Sequence, residues 1–206
     1  MLYDISPLLS PRLAVWPGDT PLSREVLYDL ARGDPGTLSS LRTTVHLGAH
    51  ADAPSHFVAG PAIHERDLDL YLGPAQVIRV DAARGTRILP EQLHRDVMAS
   101  RVLICTGTYP DPEHFTTDFA ALSVSLVDHL ATKGVRLVGI DTPSVDLFES
   151  KDLESHHAIA RHDMAILEGL VLSGVPEGLY ELIALPLRLE GFDASPVRAV
   201  LRGGER

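Results

Sequence analysis

Three histidines and an aspartate fall within eleven positions: His46, His50, Asp52 and His56, in the run Thr43-Thr44-Val45-His46-Leu47-Gly48-Ala49-His50-Ala51-Asp52-Ala53-Pro54-Ser55-His56-Phe57. Much later, His156 and Glu168 can complete the set. Neutral imidazoles and carboxylates are the donors that zinc and related divalent ions take, so the pattern points to a metal-dependent enzyme. A His-x3-His pair alone is a weak signal, and the zinc-protease pattern His-Glu-x-x-His is absent. The aspartate and the third histidine, at this spacing, carry the reading.

These residues must be delivered to one point. His46, His50 and Asp52 are separated by even numbers of residues, and on an extended strand they share a face. On a helix Asp52 would swing away from His46. Thr43, Thr44 and Val45 are β-branched, Gly48 is costly in a helix and Pro54 stops one. The spacing therefore predicts a strand over Leu41 to His50 running into a loop, with His56 approaching from another side after the Pro54 bend.

The second half of the site is read from polarity in apolar surroundings. Glu168 lies in Met164-Ala165-Ile166-Leu167-Glu168-Gly169-Leu170-Val171-Leu172, where a carboxylate is costly unless paired or bound to a metal. Ser155 is the predicted cap of a helix that His156 and His157 open, and the residues alone do not separate His156 from His157. Asp141 and Asp146 lie in Gly139-Ile140-Asp141-Thr142-Pro143-Ser144-Val145-Asp146 at the end of a buried strand, a common place for sites and equally for polar turns. Trp16, the only tryptophan, is flanked by Pro17 and Gly18 in a loop and suits a stacking platform for a substrate.

The elements that position these residues follow from short runs. Met1 to Ser6 reads as a strand and Ser10 to Pro21 as a loop. Gln76 to Val80, Arg101 to Cys105 and Val135 to Ile140 suit a buried sheet. Helices are predicted over Pro90 to Met98, Val124 to Lys133 and His156 to Met164, the first two with Pro90 in a first turn and Gly134 as a cap. Strands return at Leu167 to Leu172, Tyr180 to Leu185 and Val197 to Leu201. The order is mixed α/β with more strand than helix, compatible with a sheet closed wholly or in part.

Composition narrows the function. The chain has 206 residues, 45% hydrophobic and 22% charged, with a formal net charge of −10. That is enough for one domain with a real core, and the acidity argues against a nucleic-acid partner. Cys105 is the sole cysteine and lies in an apolar run, so it reads as an inert buried thiol. The opening residues, with Asp4, Pro7 and Pro11, do not resemble a signal peptide, and apolar stretches fall short of the about 20 residues of a membrane span. The expectation is a cytoplasmic protein with no membrane partner.

With these residues in view, the chain resembles the bacterial kynurenine formamidases of the cyclase-like metal-dependent hydrolase family. The family pattern His-x-Gly-Thr-His-x-Asp-Ala-Pro-x-His is matched from His46 to His56, with Ala49 in place of the threonine. The likeness extends to Val15-Trp16-Pro17-Gly18-Asp19, to Gly139–Asp146, to Asp163–Leu172 and to Tyr180–Leu187. The resemblance implies a swivelling β/β/α domain spanning residues 1–206, with a mixed sheet partly closed into a barrel and flanking helices, assembled as a homodimer. It implies two divalent metal ions, most simply zinc. His46, His50 and Asp52 would hold the first, Asp52 would bridge to the second, His156 would bind the second, and Glu168 would touch both. His56 would be the acid/base residue and Trp16 would lie against the substrate. The implied reaction is hydrolysis of N-formyl-L-kynurenine to L-kynurenine and formate in tryptophan degradation, with metal-bound hydroxide attacking the formyl carbon. The alternative is another cyclic or aryl amide, such as isatin, on the same scaffold.

Overall fold

In the computed structural model of the chain, residues 1–203 are described; residues 204–206, the end of the expected domain, lie outside them. Short β-rich runs broken by Gly, Pro and Asp fold as short strands. In chain order these are β1 (Leu2–Asp4), β2 (Ser23–Tyr28), β3 (Leu38–Arg42), β4 (His50–Asp52), β5 (Leu72–Arg79), β6 (Arg87–Ile88), β7 (Arg101–Cys105) and β8 (Ala121–Leu122). Helix α1 (Val124–Thr132), β9 (Leu137–Ile140), α2 (Glu154–Arg161), β10 (Ala165–Glu168), β11 (Gly178–Ile183), β12 (Ala194–Pro196) and β13 (Val200–Arg202) follow.

Nine strands form one mixed sheet in the order β1-β13-β11-β5-β7-β9-β10-β4-β12, curled into a half-barrel. The pairs β5–β7, β7–β9 and β9–β10 are parallel, and antiparallel strands flank them on both sides. Strands β7 and β9 are buried throughout, as their continuous apolar runs require. Alternation divides the core in two. Leu103, Leu137 and Leu167 pack with Tyr71, Leu182 and Leu201 inside the curl. Val102, Ile104, Val138 and Ile166 pack against Leu126 and Leu130 of α1 and Ile159 of α2 on the other face.

Four expectations change at element ends. The predicted strand from Leu41 to His50 divides: β3 stops at Arg42, the chain turns, and β4 covers only His50–Asp52. The break runs from Thr43 to Ala49 and includes Gly48, whose φ of +59° is left-handed and whose missing side chain makes room for Pro7, Leu9 and Leu13. The helix predicted over Pro90 to Met98 is one 3-10 turn, Pro90–Gln92. Beyond it the buried Gln76 side chain donates to the Asp96 carbonyl and accepts from the Met98 N–H, holding that segment against β5. Helix α2 starts before Ser155, and Ser155 does not cap it: its hydroxyl donates to the Leu122 carbonyl. The strand predicted from Leu167 to Leu172 is β10, ended after Glu168 by Gly169 at φ +64°.

Candidate metal centre

The register of three neighbouring strands builds the floor of the site. β4 lies between β10 and β12, with Glu168 opposite His50 and Ala194 opposite Asp52. Ala51 and Ala53 point into the inner core. The pleat therefore sends His50 and Asp52 to the opposite face, toward α2. His156 projects from α2 and is buried, whereas His157 is exposed. His46 comes from the turn before β4, and His56 from the 3-10 turn Pro54–His56. The six residues expected at the site, His156 among them by the resemblance, are thus brought together, although the strand that was to carry His46 is a turn.

Their separations are short. Asp52 Oδ1 lies 3.0 Å from His46 Nδ1 and 3.5 Å from His50 Nε2, and Asp52 Oδ2 lies 3.6 Å from His156 Nε2. Glu168 Oε2 is 3.3 Å from His50 Nε2, and Oε1 is 3.5 Å from His156 Nε2. Outer contacts orient the rings. His50 Nδ1 lies 2.8 Å from the Gly48 carbonyl and His156 Nδ1 lies 2.8 Å from Asp146 Oδ2. A carbonyl or carboxylate oxygen only accepts, so both rings donate through Nδ1 and turn Nε2 inward. Arg87 donates to the other oxygen of Asp146, and the Val145 N–H donates to Glu168 Oε1.

The donor set fits divalent cations. Among the described residues, buried His50 Nε2 and both oxygens of Asp52 have no partner at normal hydrogen-bond geometry, although imidazole nitrogens stand 3.0 and 3.6 Å from the carboxylate, an arrangement that costs about 1–3 kcal/mol for each group unless something satisfies it. Among the described residues, donor atoms converge in two groups, His46–Asp52–His56 and His50–Asp52–Glu168, each within 4.8 Å, and the groups share Asp52. Protons occupy this field when cations do not. Burial pushes the His46 imidazolium down, but the carboxylates of Asp52 and Asp193 reverse this and raise it to about 9. Burial likewise opposes charge on His156, and Asp146, Asp52 and Glu168 hold it well above the usual histidine range. Against burial, His156 and His46 keep the Asp52 carboxyl well below its usual range.

His46, His50, His56, His156 and Glu168 line a cavity of about 560 Å³ together with Trp16, Tyr109 and Phe115. Trp16 is 37% exposed and lies 5.0 Å, ring to ring, from Phe148 and 5.5 Å from Phe115. Asp141 also lines this cavity, but it is a loop fastener: its carboxylate accepts from the Thr106 N–H, the Gly107 N–H and the Thr106 hydroxyl. Sequence reasoning foresaw Trp16 but not Tyr109 or Phe115 beside it, gave Asp146 no role beyond its strand-end position, and missed Asp193, whose Oδ2 lies 2.9 Å from His46 Nε2 and 3.2 Å from His56 Nδ1. Asp193 is 137 residues from His56 in the chain, and no local pattern marks it.

Comparison with known proteins agrees with this architecture. The Cyclase family model matches residues 3–147. A kynurenine formamidase of Maricaulis maris (strain MCS10) is 44% identical over 204 residues, covering 98% of this chain and 97% of that protein. Among solved structures, a potential metal-dependent hydrolase with cyclase activity superposes with a TM-score of 0.86 at 26% identity, covering 100% of this chain and 99% of the other. An isatin hydrolase bound to the product analogue thioisatinate shares the fold, with a TM-score of 0.85 at 18% identity over 99% of this chain and 92% of that one. The chain belongs to the cyclase family of metal-dependent hydrolases.

Proposed function

We infer that this protein is an arylformamidase that hydrolyses N-formyl-L-kynurenine to L-kynurenine and formate. The observation that carries the reading is that the histidine–carboxylate cluster lines the same cavity as Trp16, Tyr109 and Phe115. The substrate is that of the Maricaulis relative, which matches nearly end to end. The reading takes residues 1–206 as one hydrolase domain, acting as a cytoplasmic homodimer without nucleic-acid or membrane partners.

Two divalent ions, most simply zinc, would suit this cluster: by the resemblance His46, His50 and Asp52 would hold one, His156 and Asp52 the other, and Glu168 would reach both, whereas distance alone groups His56 with His46 and Asp52, and Glu168 with His50 and Asp52. When bound, such ions supply a Lewis acid for the formyl oxygen and acidify water toward neutral pH. The chain's own residues do the rest. Trp16 stacks on the aryl ring and fixes the formyl group over the cluster. His56 takes a proton from the attacking water as its oxygen bonds to the formyl carbon. The same residue then protonates the aryl nitrogen as the C–N bond breaks, so the leaving group departs as a neutral amine. Asp146 and the Gly48 carbonyl keep His156 and His50 in the tautomers that present Nε2.

The test is hydrolysis of N-formyl-L-kynurenine before and after chelation, with zinc added back. Turnover lost on chelation and restored by zinc supports the reading; a fully metallated protein inert toward this substrate refutes it. The shared fold with an isatin hydrolase favours one second reading, opening of a cyclic aryl amide, and isatin run in parallel separates the two.

A further inference from the structure

Asp193 is held at the rim of the site by main-chain bonds on both sides. Its carbonyl accepts from the Ala53 N–H at 2.8 Å, the Phe192 carbonyl accepts from the Ile63 N–H at 2.9 Å, and Ala194 pairs with Asp52 across the β4–β12 ladder. With the backbone so fixed, the side chain, still 43% exposed, faces two imidazoles. A single oxygen, Oδ2, meets His46 Nε2 and His56 Nδ1.

An ionised carboxylate oxygen can only accept, so both ring nitrogens facing it donate. For His46 this leaves Nδ1, 3.0 Å from Asp52, as the nitrogen turned to the cluster. His50 and His156 are held the other way round, bound outward through Nδ1 and presenting Nε2. For His56 a proton on Nδ1 leaves Nε2 as the atom that can exchange a proton in the cavity. We propose that Asp193 is a positioning residue that fixes the tautomers of two histidines with different tasks: His46, which it sets to ligate through Nδ1, and His56, which it sets to transfer protons through Nε2. This rests on the metal and acid/base roles assigned above, and it links them through one oxygen atom. Asp146, by contrast, orients one imidazole only, that of His156.

The experiment combines imidazole 1H–15N correlation spectra of the zinc-loaded protein with cobalt titration and steady-state kinetics, on wild type, Asp193→Asn and Asp193→Ala. In wild type, His46 shows its proton on Nε2 while His50, His156 and His56 show theirs on Nδ1. In both variants the His56 signal loses its single tautomer, cobalt affinity falls about 10- to 100-fold, and kcat falls at saturating metal with KM within about two-fold. Asp193→Asn keeps the size of the side chain, so a loss common to both variants is not a packing effect. Unchanged tautomers with kcat within two-fold of wild type overturn the proposal, as does a loss of kcat that excess metal fully restores, which removes the His56 arm. Spectrum and titration need no substrate. A wild-type protein inert toward N-formyl-L-kynurenine therefore sinks the substrate assignment, while the tautomers still decide the role of Asp193.

Discussion

Removing metal should reverse the sign of this protein's response to alkali. In the chelated protein His46 lies between Asp52 Oδ1 at 3.0 Å and Asp193 Oδ2 at 2.9 Å, with its side chain 20% exposed. Burial disfavours its charge, the two carboxylates favour it more, and the balance holds the proton to about pH 9 against an ordinary 6.5. The folded state thus binds this proton more tightly than the unfolded chain. The resulting stability is complete below pH 6.5 and is lost as pH rises through 9. That interval is worth about 3 kcal/mol, or a fall in Tm of about 6–12 °C for a chain of this length. His156, also held well above its usual range, acts in the same direction. The assay is thermal unfolding of chelator-treated protein from pH 6 to 10, beside His46→Asn, in which the fall should be shallower. With saturating zinc the cation displaces these protons, so metal affinity, and with it stability, rises over the same interval. A chelated protein whose Tm is level or rising from pH 6.5 to 9, or a His46→Asn variant with an undiminished fall, refutes the assignment of that proton to His46.

Other perturbations separate the roles within the cluster. His56→Ala should keep its metal and lose about 10²- to 10⁴-fold in kcat; metal loss, measured by elemental analysis, would instead make His56 a ligand beside His46 and Asp52. Asp52→Ala should deplete both ions, because both donor groups include it, and loss of one ion alone contradicts bridging. His156→Ala should cost far more activity than His157→Ala, since His156 is buried beside Asp52, Asp146 and Glu168 whereas His157 is exposed. Gly169→Ala should destabilise the fold by about 1–3 kcal/mol or more, because a Cβ there would meet the Gly48 carbonyl oxygen at a left-handed φ. Since that carbonyl orients His50, metal affinity should fall with Tm.

The core of the site was legible because its chemistry is dense along the chain. Even spacing placed His50 and Asp52 on one face, and the cost of a carboxylate in an apolar run marked Glu168. The central strands were legible because burial on both faces leaves uninterrupted apolar runs, as in Arg101–Cys105. The strand predicted for His46 failed because the signal was periodicity of two, which Gly48 overrides by a conformation open to few residues besides glycine. The helix predicted from Pro90 failed because local helix signals compete there with Gln76, which bonds Asp96 and Met98 from 20 and 22 residues away in sequence. Asp193 and the aromatic wall are products of tertiary contact: Phe148 meets Trp16 only after the loops have closed over the sheet. The choice of His156 over His157 needed the helix face, which the resemblance supplied and the burial of His156 agrees with.

The edge formed by β4 and β12 has a consequence for the lifetime of the protein. Each strand has three residues, and together they form one end of the sheet. So short a ladder gives little stability of its own, yet two proposed ligands and Asp193 hang on it. Cations bridging β4, β10 and α2 would clasp this margin to the interior. When they leave, amides of Ala51, Asp52 and Ser195 should be the first to exchange with deuterium, well before those of Leu103 or Val138. The same opening offers an unpaired strand to proteases. Metal supply would then set how long a molecule survives as well as how fast it works.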